Sequence, residues 1–114
     1  LIIHANPLAE DKRSEPRSEG FVNFVPALRE AVMALPKPVY LFHADSHYFR
    51  IDKPLTSASG RMLENFTRIE TFGSHNLHLI RVKVDPASPE PLTAMPMLVE
   101  ANKVDARKPL PAKK

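Results

Sequence analysis

A short apolar run followed at once by a cluster of polar side chains constrains this chain more than any other feature. Val39-Tyr40-Leu41-Phe42 follows Pro38 directly and contains one β-branched and two aromatic residues, a composition typical of a short buried strand. The residues that come next are His43, Ala44, Asp45, Ser46 and His47. Loops at the ends of buried strands are where α/β proteins place their chemistry. These residues are therefore the first candidates for a functional site.

The geometry of this stretch depends on whether the chain turns after the strand. In one straight strand, His43 and His47 would share a face but lie about 13 Å apart. One metal ion, bound at about 2.0–2.1 Å to nitrogen, could not take both. A turn would instead let Asp45 and His47 converge while His43 stays on the strand, and we predict this turn. The alternative is that Asp45 and Ser46 are ordinary turn formers that hydrogen bond locally, with His47 a partly buried hairpin residue.

Composition limits the remaining possibilities. At 114 residues, with 43% hydrophobic and 25% charged residues, the chain is at most one ordinary domain with a real core. Cysteine is absent, which excludes disulfides and thiolate metal sites. Half of the 12 prolines follow residue 85, so we expect the last thirty residues or so to be extended. No apolar run has the length of a membrane span, and no signal-peptide pattern is present.

The chain opens inside an apolar run, Leu1-Ile2-Ile3-His4-Ala5, without an initiating methionine. We expect a strand here that ends at the polar pair Asn6-Pro7. The abrupt start suggests a piece of a longer chain. His4 would lie at the end of this strand, where it could either point into a site or be a satisfied core histidine.

Hydrophobic periodicity predicts one helix near residues 20–35, preceded by an exposed charged loop at 9–19. Pro26 falls inside the pattern, so the helix either begins near Val25 with proline in its first turn or kinks there. The apolar positions recur at steps of three and four residues: Phe21, Phe24, Val25, Leu28, Val32 and Leu35.

Two alternating segments, 67–72 and 77–84, are separated by the short stretch 73–76. This pattern predicts an antiparallel hairpin with a four-residue loop. A final edge strand could form at 94–101. Together with the earlier elements, the pattern predicts a sheet covered on one face by at least one helix, within a mixed α/β fold.

Several familiar catalytic patterns are missing from the sequence. It has no glycine-rich phosphate loop, no G-x-S-x-G nucleophile turn and no His-Glu-x-x-His zinc motif. Oxygen and nitrogen ligands remain as candidates, and they suit divalent Zn, Mn, Fe or Ni without selecting among these metals. The candidate ligands are His4, Asp45 and His47, with His43, His75 and Asn76 as further possibilities.

The segments 43–55 and 65–73 resemble the C-terminal part of a calcineurin-like metallophosphoesterase, and the similarity extends from Leu1 to Pro86. The resemblance implies a partial αββα sandwich: a mixed sheet covered by at least one helix, plus C-terminal β-hairpin strands. It assigns residues 1–86 to the C-terminal part of such a domain. Residues 87–102 are then an extended proline-rich segment that could include an edge strand, and residues 103–114 are a basic tail expected to be disordered.

The last metal motif of that family is Gly-His-x-His, and a subgroup has Gly-Asp-x-His instead. Ala44-Asp45-Ser46-His47 is similar to the subgroup pattern, with alanine in place of glycine. The resemblance implies a dinuclear centre of divalent ions, with Asp45 and His47 as catalytic residues. His47 would bind one metal, Asp45 would approach the second metal or the substrate phosphate, and His4 would be an earlier single-histidine ligand.

Asp45-Ser46-His47 also fits the first motif of the family, Asp-x-His. That alignment requires a following Gly-Asp-x-x-Asp, which the chain lacks, and the loose Gly73–Asn76 echo of a later motif comes too soon. We therefore prefer the C-terminal placement. The predicted function is the C-terminal segment of a metal-dependent phosphoesterase that hydrolyses a phosphate ester. Its partners would be that substrate and either the upstream part of the domain or a partner chain that supplies it.

The upstream motifs carry most of the ligands, so we expect the isolated chain to be inactive or to bind metal weakly. Two alternatives stay open. One is a non-enzymatic interaction module that uses the basic tail, where Lys103, Arg107, Lys108, Lys113 and Lys114 face only Asp105; no basic patch with interleaved aromatics supports nucleic acid as its partner. The other is a structural fragment of a larger sandwich.

Overall fold

The computed structural model describes residues 1–8 and 21–104. Within them the chain forms a small α/β fold with one α-helix, a mixed three-stranded sheet and a separate two-stranded sheet. The mixed α/β class is thereby confirmed, and the αββα sandwich stays a prediction. The elements, in chain order, are helix α1 (Phe24–Ala34) and strands β1 (Val39–His43), β2 (Arg50–Asp52), β3 (Phe66–Glu70), β4 (Leu79–Val84) and β5 (Leu92–Met97), followed by a 3-10 turn at Glu100–Asn102.

Strand β3 lies in the centre of the main sheet, parallel to β1 and antiparallel to β2. Residues 1–4 run parallel along the other side of β1. There the Phe42 amide donates to the Leu1 carbonyl at 2.9 Å, and the Ile3 amide donates to the Phe42 carbonyl at 3.0 Å. The predicted first strand is thus reduced to a bridge between Ile2 and Phe42. Residues 1–4, β1 and β3 all run in the same direction, so their carboxyl ends meet at one rim of the sheet.

Helix α1 packs on one face of the main sheet and forms the core with it. Leu28 and Val32 are buried against Leu41, Leu55 and Phe66. The helix begins at Phe24, which fits the alternative that starts near Val25 and not the one that starts near residue 20 and kinks at Pro26. Its Pro26 lies in the first turn, where the backbone N–H has no partner within the helix.

The predicted hairpin between residues 67–72 and 77–84 is wrong. Strand β3 pairs with β1 and β2 instead, and β4 forms its hairpin with β5. Alternation predicts a half-buried strand, but four of the five β3 residues are buried, as is usual for a strand in the centre of a sheet. The suggested edge strand at 94–101 lies at Leu92–Met97.

The hairpin of β4 and β5 carries one continuous apolar face. By alternation and cross-strand register, this face contains Ile80, Val82, Val84, Leu92, Ala94 and Pro96. Part of it borders a cavity of about 530 Å³ that also touches Phe42 and Ile69 of the main sheet. We call this space the intersheet cleft. It is open, since Val82 is 41% exposed and Ile2 at its edge is 82% exposed.

Two predicted segments lie outside the described residues: the charged loop at 9–19 and the basic tail from residue 105 onward. Within the described residues, no helix is both long enough and apolar enough to span a bilayer.

Candidate metal-binding turn at the rim of the sheet

The chain turns sharply between β1 and β2, as predicted. Asp45 and His47 have φ angles of 79° and 58°, in the left-handed region that non-glycine residues adopt at a cost. The Ser46 amide donates to the Ala44 carbonyl at 3.1 Å within the turn. His43 stays behind on the strand and is buried, while Asp45 and His47 are exposed. Two residues with positive φ in a three-residue stretch make this loop a candidate functional site.

A buried asparagine ties this turn to the neighbouring segment of the sheet. The Asn6 side-chain amide donates to Ser46 Oγ at 2.9 Å, and its carbonyl oxygen accepts from the Leu8 amide at 3.1 Å. Asn6 is only 6% exposed. The Ala44 amide also donates to the His4 carbonyl at 3.0 Å. The two loops that follow parallel segments are therefore fixed to each other at the rim.

The loop after β3 orients His47. Its imidazole lies against the backbone of Gly73, where a β-carbon would come within 2.5 Å of His47 Cγ. His47 also borders a cavity of about 290 Å³ with mainly aromatic walls. Phe49 and Phe72 stack there with ring centroids 4.8 Å apart, and His78 meets Phe72 edge-on at 5.0 Å. The position of His47 thus depends on glycine at residue 73.

The structure brings the predicted site residues to one rim without closing a metal site. The backbones of His4 and Ala44 are hydrogen-bonded neighbours, but His4 borders the intersheet cleft and His47 borders the aromatic cavity. His75 is exposed in the turn after β3. Across residues 1–8 and 21–104, no three His, Asp or Glu side chains are grouped closely enough to hold an ion.

The chemistry of the rim residues nevertheless fits part of a divalent-metal site. Asp45 offers carboxylate oxygens, and His4 and His47 offer imidazole nitrogens, which are suitable ligands for Zn, Mn, Fe or Ni. Both Asp45 and His47 are exposed, on a turn that is hydrogen-bonded to its neighbours through the Ser46 side chain and the Ala44 amide. A complete centre needs further ligands beyond these three residues.

Sequence reasoning missed a set of paired charges, two of them buried, on the helix-covered face of the main sheet. Arg50 Nε donates to Glu70 Oε2 at 2.7 Å, and Arg68 Nε donates to Asp52 Oδ1 at 2.7 Å. The side chains of Arg68 and Glu70 are fully buried. We call these four residues the charge ladder. Its signal was present in the sequence, because Arg-Ile-Asp at 50–52 and Arg-Ile-Glu at 68–70 become complementary when paired antiparallel.

Histidine 43 lies next to the charge ladder. Its Nδ1 is 2.9 Å from the Ala44 carbonyl oxygen and 3.9 Å from Glu70 Oε1. Two buried atoms of this pair, His43 Nε2 and Glu70 Oε1, have no hydrogen-bond partner among the described residues.

No family model, curated protein or solved structure matches this chain. The function is therefore inferred from the contacts described above.

Proposed function

We propose that this chain is the C-terminal part of a metal-dependent phosphoesterase, built as part of an αββα sandwich. Asp45 and His47, with His4 on the adjoining segment, would supply part of a dinuclear divalent-metal site. One observation carries the proposal: a strained turn presents a carboxylate and an imidazole at the rim where three parallel segments end. Such rims are the usual place for ligand sites in open α/β sheets.

The residues of the turn would have separate tasks in phosphate-ester hydrolysis. Divalent ions at such a centre activate a water molecule and offset the charge that develops on the phosphoryl oxygens. His47 would supply a neutral imidazole nitrogen, and its contact with Gly73 limits how far the ring can move. Asp45 would bring its carboxylate to a second ion or orient the substrate. The hydrogen bond from Asn6 to Ser46 would hold the turn that carries Asp45 and His47 close to the segment that carries His4.

The intersheet cleft supports the view that this chain needs a further part to act. Its apolar walls are open to solvent, with Leu79 61% and Val82 41% exposed on the hairpin. In a sandwich, two sheets pack about 10 Å apart and bury such side chains against each other. We infer that an upstream part of the same domain, or a partner chain, covers this face and brings the remaining metal ligands. Phosphate-ester hydrolysis therefore requires more than these 114 residues.

Paramagnetic broadening by Mn²⁺ tests the metal site directly. The chain has five histidines, whose ring signals can be followed by NMR. We expect substoichiometric Mn²⁺ to broaden the signals of His47 before those of His75. His47→Asn should abolish the preferential effect on the rim. His75→Asn is a matched control, since both residues are exposed and have φ angles of 58° and 72°, which asparagine tolerates.

Equal broadening of all exposed histidines, unaffected by His47→Asn, would contradict the proposed site. Turnover provides a second test. The isolated chain, mixed with Mn²⁺ or Zn²⁺ and an aryl phosphate, should show no hydrolysis above background. Clear turnover that His47→Asn abolishes would disprove the need for a further part of the domain.

A further inference from the structure

His43 is the buried link between the charge ladder and the candidate metal-binding turn. It is the last residue of β1, is 3% exposed, and its Nδ1 lies 2.9 Å from the Ala44 carbonyl oxygen. A carbonyl oxygen can only accept a hydrogen bond, so Nδ1 carries the hydrogen and donates it. In the neutral ring, Nε2 then holds a lone pair, and this buried atom has no partner among the described residues.

The surroundings of this ring are difficult to explain by stability alone. Glu70 uses Oε2 to accept from Arg50, while its buried Oε1 has no hydrogen-bond partner in the described part of the chain. Buried polar atoms without partners are destabilising, and buried ion pairs are weak evidence for stability. An apolar residue at position 43 would avoid the unpartnered nitrogen. The imidazole contributes one directed contact that an apolar side chain cannot make, the bond to the Ala44 carbonyl.

That carbonyl belongs to the peptide group from which Asp45 enters the left-handed region. Ala44 O accepts from His43 Nδ1 and also from the Ser46 amide at 3.1 Å. The two donors fix the plane of the Ala44–Asp45 peptide, and φ of Asp45 is the first rotation after that plane. We propose that His43 is a positioning residue. Its Nδ1–H holds the strained turn in the conformation that presents Asp45 and His47, and the buried Glu70 carboxylate lies beside the ring, 3.9 Å from Nδ1.

The significance of this role for metal binding rests on the proposed function. Residues that orient metal ligands without touching the metal typically change affinity by about 10- to 100-fold when they are removed. His43 acts on the backbone of Asp45 in this way and is not itself a catalytic residue. The turn conformation can be measured without any metal, which separates the two proposals.

The test compares His43→Asn with His43→Gln. The side-chain amide nitrogen of asparagine can occupy the position of Nδ1, whereas that of glutamine lies nearer the position of Nε2. The first readout is the coupling between the amide and α protons of Asp45, which reports φ, in metal-free protein. The second is the Mn²⁺ concentration that broadens the signals of His47. We expect His43→Asn to retain both values, and His43→Gln to change the coupling and to weaken Mn²⁺ binding by about 10-fold or more.

The proposal fails if His43→Gln keeps the wild-type coupling and Mn²⁺ affinity, or if both variants lose them equally. Ring ¹⁵N shifts of the unmodified chain give a test that needs no variant, and an unprotonated Nδ1 on His43 would overturn the proposal. The wild-type chain could also bind no Mn²⁺ while the Asp45 coupling is retained in His43→Asn and changed in His43→Gln. In that case the positioning role stands and the phosphoesterase proposal fails.

Discussion

The imidazole of His47 lies against the backbone of Gly73, so that a β-carbon at residue 73 would come within 2.8 Å of His47 Cβ. Gly73→Ala should therefore displace His47 from the rim, because both clashing atoms are close to their backbones and cannot simply swing away. We expect the ring signals of His47 to shift in the NMR spectrum. Since His47 is exposed, the loss of stability should be near the low end of overpacking effects, about 1 kcal/mol.

The matched control for this substitution is Gly60→Ala. Gly60 has φ of 80° with no atom near its missing β-carbon, so alanine there strains only the local backbone, by about 1–2 kcal/mol. The two variants should thus lose similar stability, but only Gly73→Ala should move the His47 signals. Unchanged His47 signals in Gly73→Ala would show that the contact does not orient the ring.

The Arg50–Glu70 pair should respond asymmetrically to loss of either partner. The Arg50 side chain is 24% exposed and that of Glu70 is fully buried. Arg50→Met leaves the buried Glu70 carboxylate without its hydrogen-bonded cation, which should cost about 3–5 kcal/mol of unfolding free energy. Glu70→Met leaves an arginine that reaches water and should cost less. Urea unfolding followed by circular dichroism measures both, and the double variant should be more stable than Arg50→Met alone.

Asn65 closes the carboxyl end of helix α1, and its removal should destabilise the chain. Its side-chain amide donates to the carbonyls of Val32 and Leu35, each at 2.9 Å, where helix carbonyls otherwise lack partners. Asn65→Ala should cost about 1–2 kcal/mol in thermal unfolding. Asn65→Asp should cost more, because a carboxylate would then face carbonyl oxygens. Asn23 at the other end of the helix makes no side-chain capping bond, so Asn23→Ala should change stability little.

Backbone amides should exchange with solvent at different rates in the two sheets. The β4–β5 hairpin has no fully buried residue, whereas four of the five residues of β3 are buried. Amides that bridge β4 and β5 should therefore exchange faster than those that bridge β1 and β3, because opening the hairpin exposes little new apolar surface. NMR exchange rates provide the measurement. Equal protection in both sheets would indicate that the hairpin is part of the main cooperative unit.

Local patterns in the sequence predicted the helix and the turn after β1 well. The spacing of apolar residues from Phe24 to Val32 indicates the buried side of a helix. The polar residues after Phe42 indicate the end of a buried strand. The partner of β3 was not predictable in this way, because alternation describes burial and not pairing. Asn6 was missed for a related reason. A buried polar residue has no hydrophobic signal, and its partner Ser46 is 40 residues away.

Complementary charges on β2 and β3 also exclude alternative pairings of these strands. Arg50 lies opposite Glu70 and Asp52 opposite Arg68. A slip of two residues in one direction would bring Arg50 opposite Arg68, and a slip in the other would bring Asp52 opposite Glu70, so each would place like charges together in a buried sheet. A slip of one residue would turn the charged side chains to the other face. The short strand β2 therefore has a single favourable alignment with β3. This alignment fixes the position of the chain at the end of the turn that precedes β2.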